Sequence, residues 1–379
     1  MKRFRWMPAI AAAVLLAGCV PSKKEDTGLV QESEETAVET TIIPSSQLDE
    51  NYYKTLVPYK ESASRGLVVS NIYTKYDMKE VEGGLMRLSR NQFDTDNHYF
   101  QEGQYLTAET VSNWLARKGQ TEDGLNPSVP EGTSAEDRAK KYPVYLAHIV
   151  EQNYLASTGN NKIGLAGVSI GLALNSIYYY QKEQYGEYYE EPIPEDELVK
   201  QGKAIAEEVL NRLRKNSALA DVPILIGLYK QNARNDIVPG TYFAYGVADK
   251  GKNSLGDWHD VDEKYVLFPT ADTEDAYRDV NTSFQNFKQD VNDYFSNYTS
   301  VVATGFYQNK KIQKLSIEIP IQFYGTAEII GFTQFVSGIL RDHFSTDLPV
   351  EVSITSTNGP EALITKDNTD KEPFVHIYD

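Results

Sequence analysis

Apolar positions along this chain recur with two periods, and the switching between them predicts a mixed α and β fold. Thr107 can cap a short helix carrying Val111, Trp114 and Leu115. Thr133 and Glu136 have capping-box spacing ahead of a second helix through Leu146, Ile149 and Val150, with Pro143 as its kink or true start. From Lys162 to Tyr180 the period becomes two: Val168, Ile170, Leu172 and Leu174 alternate with small residues, as in a strand. After Pro194 the spacing returns to three and four, placing Leu198, Gly202, Ile205, Ala206, Val209, Leu210 and Leu213 on one helical face. Val222–Leu228 reads as a strand again.

The later half repeats the style. Thr273 can cap a helix with Tyr277, Val280, Phe284, Phe287, Val291, Tyr294 and Tyr298 along one stripe. Val301–Ala303 and Ile312–Phe323 read as a hairpin, followed by a helix from about Thr326 to Phe344 and closing strands at Val350–Ile354 and Phe374–Ile377. Both halves thus run helix, hairpin, helix, strand. An offset of 147 residues lays Val168-Ser169-Ile170 on Leu315-Ser316-Ile317, Leu172 and Leu174 on Ile319 and Ile321, and Ala156 on Ala303. The expected fold class is α+β: two tandem related subdomains, 58–255 and 256–379, each of antiparallel strands with packed helices.

The N-terminus follows other rules. Lys2, Arg3 and Arg5 precede an apolar run from Ala9 to Ala17 that ends in Leu16-Ala17-Gly18-Cys19. A spanning helix needs about 20 apolar residues, so this run reads as the core of a signal peptide, residues 1–18. Small residues at Ala17 and Gly18 suit a signal peptidase pocket, and the Cys19 thiol can be alkylated with diacylglycerol before cleavage. An ordinary secretory signal with a chance cysteine is the alternative. Cys19 is the only cysteine, which excludes an internal disulfide. Two or more acyl chains anchor a protein stably. The expected location is the extracytoplasmic face of the cell membrane, after processing by lipoprotein diacylglyceryl transferase and lipoprotein signal peptidase.

Between Val20 and Glu50 the chain holds eight acidic residues against Lys23 and Lys24, and no aromatic residue. Such a composition cannot bury enough apolar surface to offset its ordering entropy, so 19–57 reads as a disordered tether behind the lipid. The net charge of −17 becomes −20 once Lys2, Arg3 and Arg5 are removed. With no basic patch, nucleic acid is excluded as a partner.

Several stretches carry a resemblance: the lipobox and acidic tether, Phe100-Gln-Glu-Gly-Gln-Tyr-Leu106, Tyr145-Leu-Ala-His148, Asp257-Trp258 and Tyr265-Val-Leu-Phe-Pro269. Together they resemble the CamS family of Gram-positive sex pheromone lipoproteins, across essentially the whole chain. The resemblance implies two related α+β repeats. It also implies that, as in some members, a fragment cleaved just upstream of the cysteine acts as a mating signal; the corresponding stretch is about Ala11 to Gly18.

Candidate chemistry is sparse. Gly167-Val-Ser169-Ile-Gly171 fits G-x-S-x-G, with His259 and His343 downstream, but a nucleophile elbow requires a strand-to-helix turn where the alternation here simply continues. An envelope hydrolase using Ser169 is therefore the alternative reading. The five histidines lack ligand spacing. The acidic stretches Asp257–Glu263 and Asp94–Asn97 lack the pattern of a calcium loop and read as solvated turns. No phosphate or dinucleotide fingerprint is present, so neither metal nor cofactor is expected. The densest unusual composition is Tyr178, Tyr179, Tyr180, Tyr185, Tyr188 and Tyr189, interleaved with glutamates. Tyrosine offers rigid area and a hydroxyl, so this segment is the candidate surface for an envelope protein, peptide or wall fragment. Rings that merely cover a neighbouring helix are the alternative.

Overall fold

The computed structural model describes residues 29–31, 39–44, 48–159, 161–294, 301–322, 325–368 and 372–378. The signal segment 1–18, lipobox residues Leu16, Ala17 and Gly18, Cys19, Tyr298 and Phe323 lie outside the described residues. In chain order, the first half contains β1 (Leu29–Gln31), β2 (Glu39–Thr41), β3 (Lys54–Thr55), α1 (Val68–Asn71), α2 (Lys75–Ser89) and β4 (His98–Glu102). It continues with α3 (Ala108–Leu115), α4 (Ala135–Lys141), β5 (Leu146–Gly159), β6 (Lys162–Asn175), β7 (Ile177–Gln181) and β8 (Tyr188–Pro192). Then come α5 (Glu195–Leu213), β9 (Ile224–Gln231), β10 (Thr241–Ala248) and β11 (His259–Asp260). The second half contains β12 (Glu263–Phe268), α6 (Asp275–Tyr294), β13 (Val302–Gln308), β14 (Lys311–Pro320), α7 (Thr326–His343), β15 (Val350–Ser356), β16 (Gly359–Lys366) and β17 (Phe374–Ile377).

The fold is α+β, and its two main sheets share one wiring. The first runs β11-β10-β9-β6-β5-β4-β3, with β1 laid parallel to the start of β6 and paired to β2. The second runs β17-β16-β15-β14-β13-β12. In each, an antiparallel hairpin (β5–β6, β13–β14) leads through one helix to a parallel strand (β9, β15), and two antiparallel strands follow. Val168 opposes Ile224 and Leu315 opposes Val350, so the offset of 147 holds along β6 and β14. It fails on the neighbouring strand. Ser169 opposes Gln152 and Ser316 opposes Thr304, an offset of 304 − 152 = 152. The β13–β14 hairpin is therefore five residues shorter, and Ala156 does not correspond to Ala303.

The sheets differ in layering. Along β6, Val168, Ile170, Leu172 and Leu174 face α5, whose apolar stripe from Leu198 to Leu213 is buried as its spacing predicts. The opposite face is covered by α2, where Val81, Leu85 and Leu88 pack on Ala173, Leu225, Tyr229 and Tyr242. The second sheet has α6 and α7 on one face only, and β14 and β15 alternate buried with less buried residues.

Three expectations are corrected. The helix capped near residue 133 uses Ser134, whose Oγ accepts from Asp137 N at 3.1 Å, and it stops at Lys141. Pro143 cannot donate to a helix, and Leu146, Ile149 and Val150 lie in β5 instead. The register shifts between Leu146 and His148, and this bulge puts Leu146 and Ile149 on one face at a spacing of three, which imitates a helix. The folded part also starts before residue 58, because Lys54–Thr55 pairs with β4 and Tyr53 and Leu56 are buried. Similarly, the first sheet extends past residue 255, since β11 pairs with β10.

One buried ion cluster joins the two sheets. Arg87 on α2 donates from Nε to Glu263 Oε1 at 2.9 Å and from Nη2 to Glu263 Oε2 at 2.6 Å and Glu80 Oε1 at 2.5 Å. Its guanidinium lies 4.6 Å from the Phe306 ring centre, and Tyr265 Oη donates to Glu80 Oε2 at 2.7 Å. Glu80 sits on α2, whereas Glu263, Tyr265 and Phe306 belong to β12 and β13.

Candidate functional site

The tyrosine segment folds as a separate two-stranded ribbon. Strand β7 leaves the end of β6 and pairs with β8, setting Tyr178 opposite Glu191, Tyr180 opposite Tyr189 and Gln181 opposite Tyr188. Strand alternation then sorts the five strand tyrosines onto two faces, with Tyr185 in the connecting turn.

On one face Tyr178 and Tyr180 stack at 6.4 Å with planes 6° apart, and Tyr180 tilts against Tyr189 at 5.6 Å. Tyr180 is buried, and α4 packs against this strand. The Arg117 guanidinium lies 5.9 Å from the Tyr178 ring, and Lys182 Nζ lies 4.4 Å from that of Tyr189. On the other face Arg234 is clamped among three rings, 4.1 Å from Tyr179, 4.8 Å from Tyr73 and 5.3 Å from Tyr188. Its backbone N–H donates to Tyr179 Oη at 3.0 Å. Arg234 is exposed, and cation–π contacts at exposed sites are worth about 0.5–1 kcal/mol each, so together the three contacts help hold the ribbon against the body.

The candidate set therefore divides. Tyr178, Tyr179 and Tyr180 root the ribbon, which is the helix-covering role for Tyr180. Tyr185, Tyr188 and Tyr189 are 90 %, 60 % and 36 % exposed, and Tyr185 holds a φ of 64° in the tip turn. Glu183, Glu187 and Glu190 are exposed around them. The ribbon presents aromatic area within a negative field on a rigid base, an arrangement suited to holding a partner. Sequence reading found the tyrosines but missed Arg234, because nothing in a loop arginine signals three rings distant in the chain.

The other candidates have structural roles. Ser169 lies mid-strand, fully buried, with its hydroxyl 2.7 Å from that of Ser89. A Cβ on Gly167 would stand 2.3 Å from the Phe93 ring, and one on Gly171 2.3 Å from Tyr242 Oη. Both glycines admit aromatic rings over the sheet, and neither makes a turn. The Tyr242 hydroxyl that packs at Gly171 donates to Val81 O at 2.7 Å. His259 stacks on Tyr245 at 4.8 Å, and His343 Nε2 pairs with Asp290 at 2.7 Å, so neither histidine reaches Ser169. In Asp257–Glu263, Glu263 is committed to Arg87 and His259–Asp260 form an edge strand. Asp94 Oδ1 accepts from Asn97 N and Nδ2, both at 2.8 Å, closing a turn. No group of three metal-ligating side chains occurs among the described residues.

One resemblance stretch, Phe100–Leu106, closes on a buried carboxylate. Glu151 accepts from the backbone N–H groups of Gln104, Tyr105 and Leu106, the last at 2.6 Å. Gly103 is required there, since its Cβ would lie 2.5 Å from that of Glu151. Burial raises the Glu151 pKa above the usual carboxylate value, against the pull of those N–H donors.

Comparison with known proteins gives a consistent result. The family described as CamS sex pheromone cAM373 precursor matches residues 59–372. The C-terminal domain of sex pheromone staph-cAM373 precursor from Staphylococcus aureus is 35% identical, with a TM-score of 0.71, covering 82% of this chain and 98% of that one. The sex pheromone precursor from Lactobacillus salivarius is 32% identical, with a TM-score of 0.82, covering 90% of this chain and 99% of that one. No curated protein matches the chain.

Proposed function

We propose, from the premise that this chain belongs to the CamS sex pheromone precursor family, that it is a lipid-anchored binding protein of the extracytoplasmic membrane face. Diacylglyceryl transferase and signal peptidase leave Cys19 as the lipidated N-terminus. The folded part is a non-enzymatic module that captures an envelope protein, peptide or wall fragment at the ribbon tip. The observation carrying this reading is Tyr185, 90 % exposed at the ribbon tip beyond a base held by Arg234 against Tyr179 and Tyr73. A core has no use for that ring. No helix among the described residues is long and apolar enough to cross a membrane.

Two measurements test the reading. In-cell crosslinking from the ribbon tip, followed by mass spectrometry, is expected to recover one specific envelope component, and the variant Tyr185→Ser to lose it. Because exposed substitutions usually change stability by less than about 0.5 kcal/mol, the variant should melt nearly as the parent does. A large drop in stability, or capture that survives the change, would overturn the ribbon assignment. Separately, Cys19→Ala should move the protein from the membrane fraction to the medium. Retention in the membrane without the thiol would refute the lipid anchor.

A second reading draws on the relatives' description as sex pheromone precursors: the segment Ala11–Gly18 is released as a peptide signal. A fusion of residues 1–19 to an unrelated passenger should then still elicit the mating response, and a silent fusion would refute it.

A further inference from the structure

A cavity of about 290 Å³ lies between α2, strands β4 and β5, and the segment from Ser62 to Val68. Its interior is apolar where Val68, Met86, Phe100 and Val150 meet. At the rim stand Lys79, Glu82 and Arg65. The covering segment is held down by Glu102, which accepts from Ser62 N at 2.6 Å and from the Tyr59 hydroxyl.

Two features of this cavity have no structural explanation. The first is His148, which is 2 % exposed and lines the cavity wall. Its Nδ1 lies 3.5 Å from Asn71 Nδ2, at the limit of a hydrogen bond, and its Nε2 has no partner among the described residues. A ring nitrogen that lines a cavity without a protein partner is open to a ligand atom.

The second is Gly83, in the interior of α2. Glycine there weakens a helix relative to alanine, and elsewhere in this helix the reason is visible. A Cβ on Gly84 would lie 2.9 Å from Glu80 Oε1 and 3.0 Å from the Tyr242 ring. A Cβ on Gly83 would meet nothing within 4 Å. Packing and backbone geometry would both accept alanine. Gly83 is exposed and lines the cavity at its mouth, so the missing side chain leaves the entrance open.

We infer that this cavity binds a small zwitterion with an apolar side chain, a free amino acid or dipeptide, and that Gly83 and His148 shape the site. The volume suits such a ligand. Lys79 has no ionic partner among the described residues and is placed to take the carboxylate, while Glu82 takes the ammonium. His148 Nε2 meets a polar atom of the ligand backbone. The site uses neither the ribbon nor the lipid anchor, so it stands or falls separately from the function proposed above.

The test is calorimetric titration of the full lipidated chain in detergent with free leucine and with Ala-Leu, alongside N-acetyl-leucine and leucine amide. Leucine or Ala-Leu should bind, and each blocked analogue should bind at least about tenfold more weakly, the usual effect of stranding one charged partner. Glu82→Gln should abolish discrimination against the acetylated form, and Lys79→Met discrimination against the amide. Gly83→Ala should raise the melting temperature, as a better helix former, yet lower affinity about tenfold by narrowing the entrance. The proposal is overturned if no probe binds, if the blocked forms bind as well as the zwitterions, or if Gly83→Ala binds unchanged.

Discussion

Replacing Arg87 with methionine is expected to destabilise the protein by about 3–5 kcal/mol, the effect of removing one partner from a buried ionic cluster. Burial works against the charge of Arg87, but its hydrogen bonds to Glu263 and attraction to Glu80 outweigh it and raise the guanidinium pKa. Without Arg87, two carboxylates with side chains only 10 % and 5 % exposed share a site with no cation. Burial already raises the Glu80 pKa, with Arg87 opposing it, so that group would climb further and take up a proton. The damage should therefore shrink in mild acid, and Glu80→Gln with Glu263→Gln should relieve part of it at neutral pH. The cluster also joins the sheets, so the loss should fall on their coupling. Both described tryptophans, Trp114 and Trp258, lie beside the first core. Tryptophan fluorescence follows the first sheet, whereas far-ultraviolet circular dichroism follows both. In the variant the dichroism transition should precede the fluorescence transition in urea; coincident transitions with a change below about 1 kcal/mol would refute the assignment.

The second large effect is acid instability from His148. Burial lowers its imidazole pKa from 6.5 to about 4. Between those values the unfolded chain binds a proton that the folded chain refuses, so stability rises with pH through the window and is lost as pH falls. The shift corresponds to about 3 kcal/mol between pH 7 and pH 4. Glu80, Glu82 and Glu151, whose pKa values burial raises, act in the opposite sense, and the net curve blends both. The informative quantity is thus the difference between parent and His148→Gln, measured by denaturant titration across that range. The parent should lose about 3 kcal/mol relative to the variant on acidification. Parallel curves would mean the imidazole is not held neutral.

Long amphipathic stripes were legible without the structure. The α5 stripe from Leu198 to Leu213 is buried at every expected position, because a helix displays its periodicity within a few turns of chain. The β13–β14 hairpin and the 147-residue offset along β6 were likewise readable from alternation. Strand β16 was not: it ends in Lys366, which reads as surface but is 2 % exposed, donating to the carbonyls of Ser345, Thr346 and Leu348. The bulge after Leu146 misled for the opposite reason, giving strand residues a helical spacing.

The sequence by itself carries the α+β class, the doubled order of elements, the family and the lipobox on which the anchor proposal rests. These are local patterns, set by neighbours a few residues apart. The tertiary structure alone decides the rest: which tyrosines root the ribbon and which stand free, that Arg87 bridges the sheets, and that His148 and Gly83 line one cavity. Those contacts join residues 50 to 180 positions apart, as Arg87 with Glu263 and Arg234 with Tyr179 do. Only a folded chain, its loop-closure entropy overcome by burial, brings them within reach.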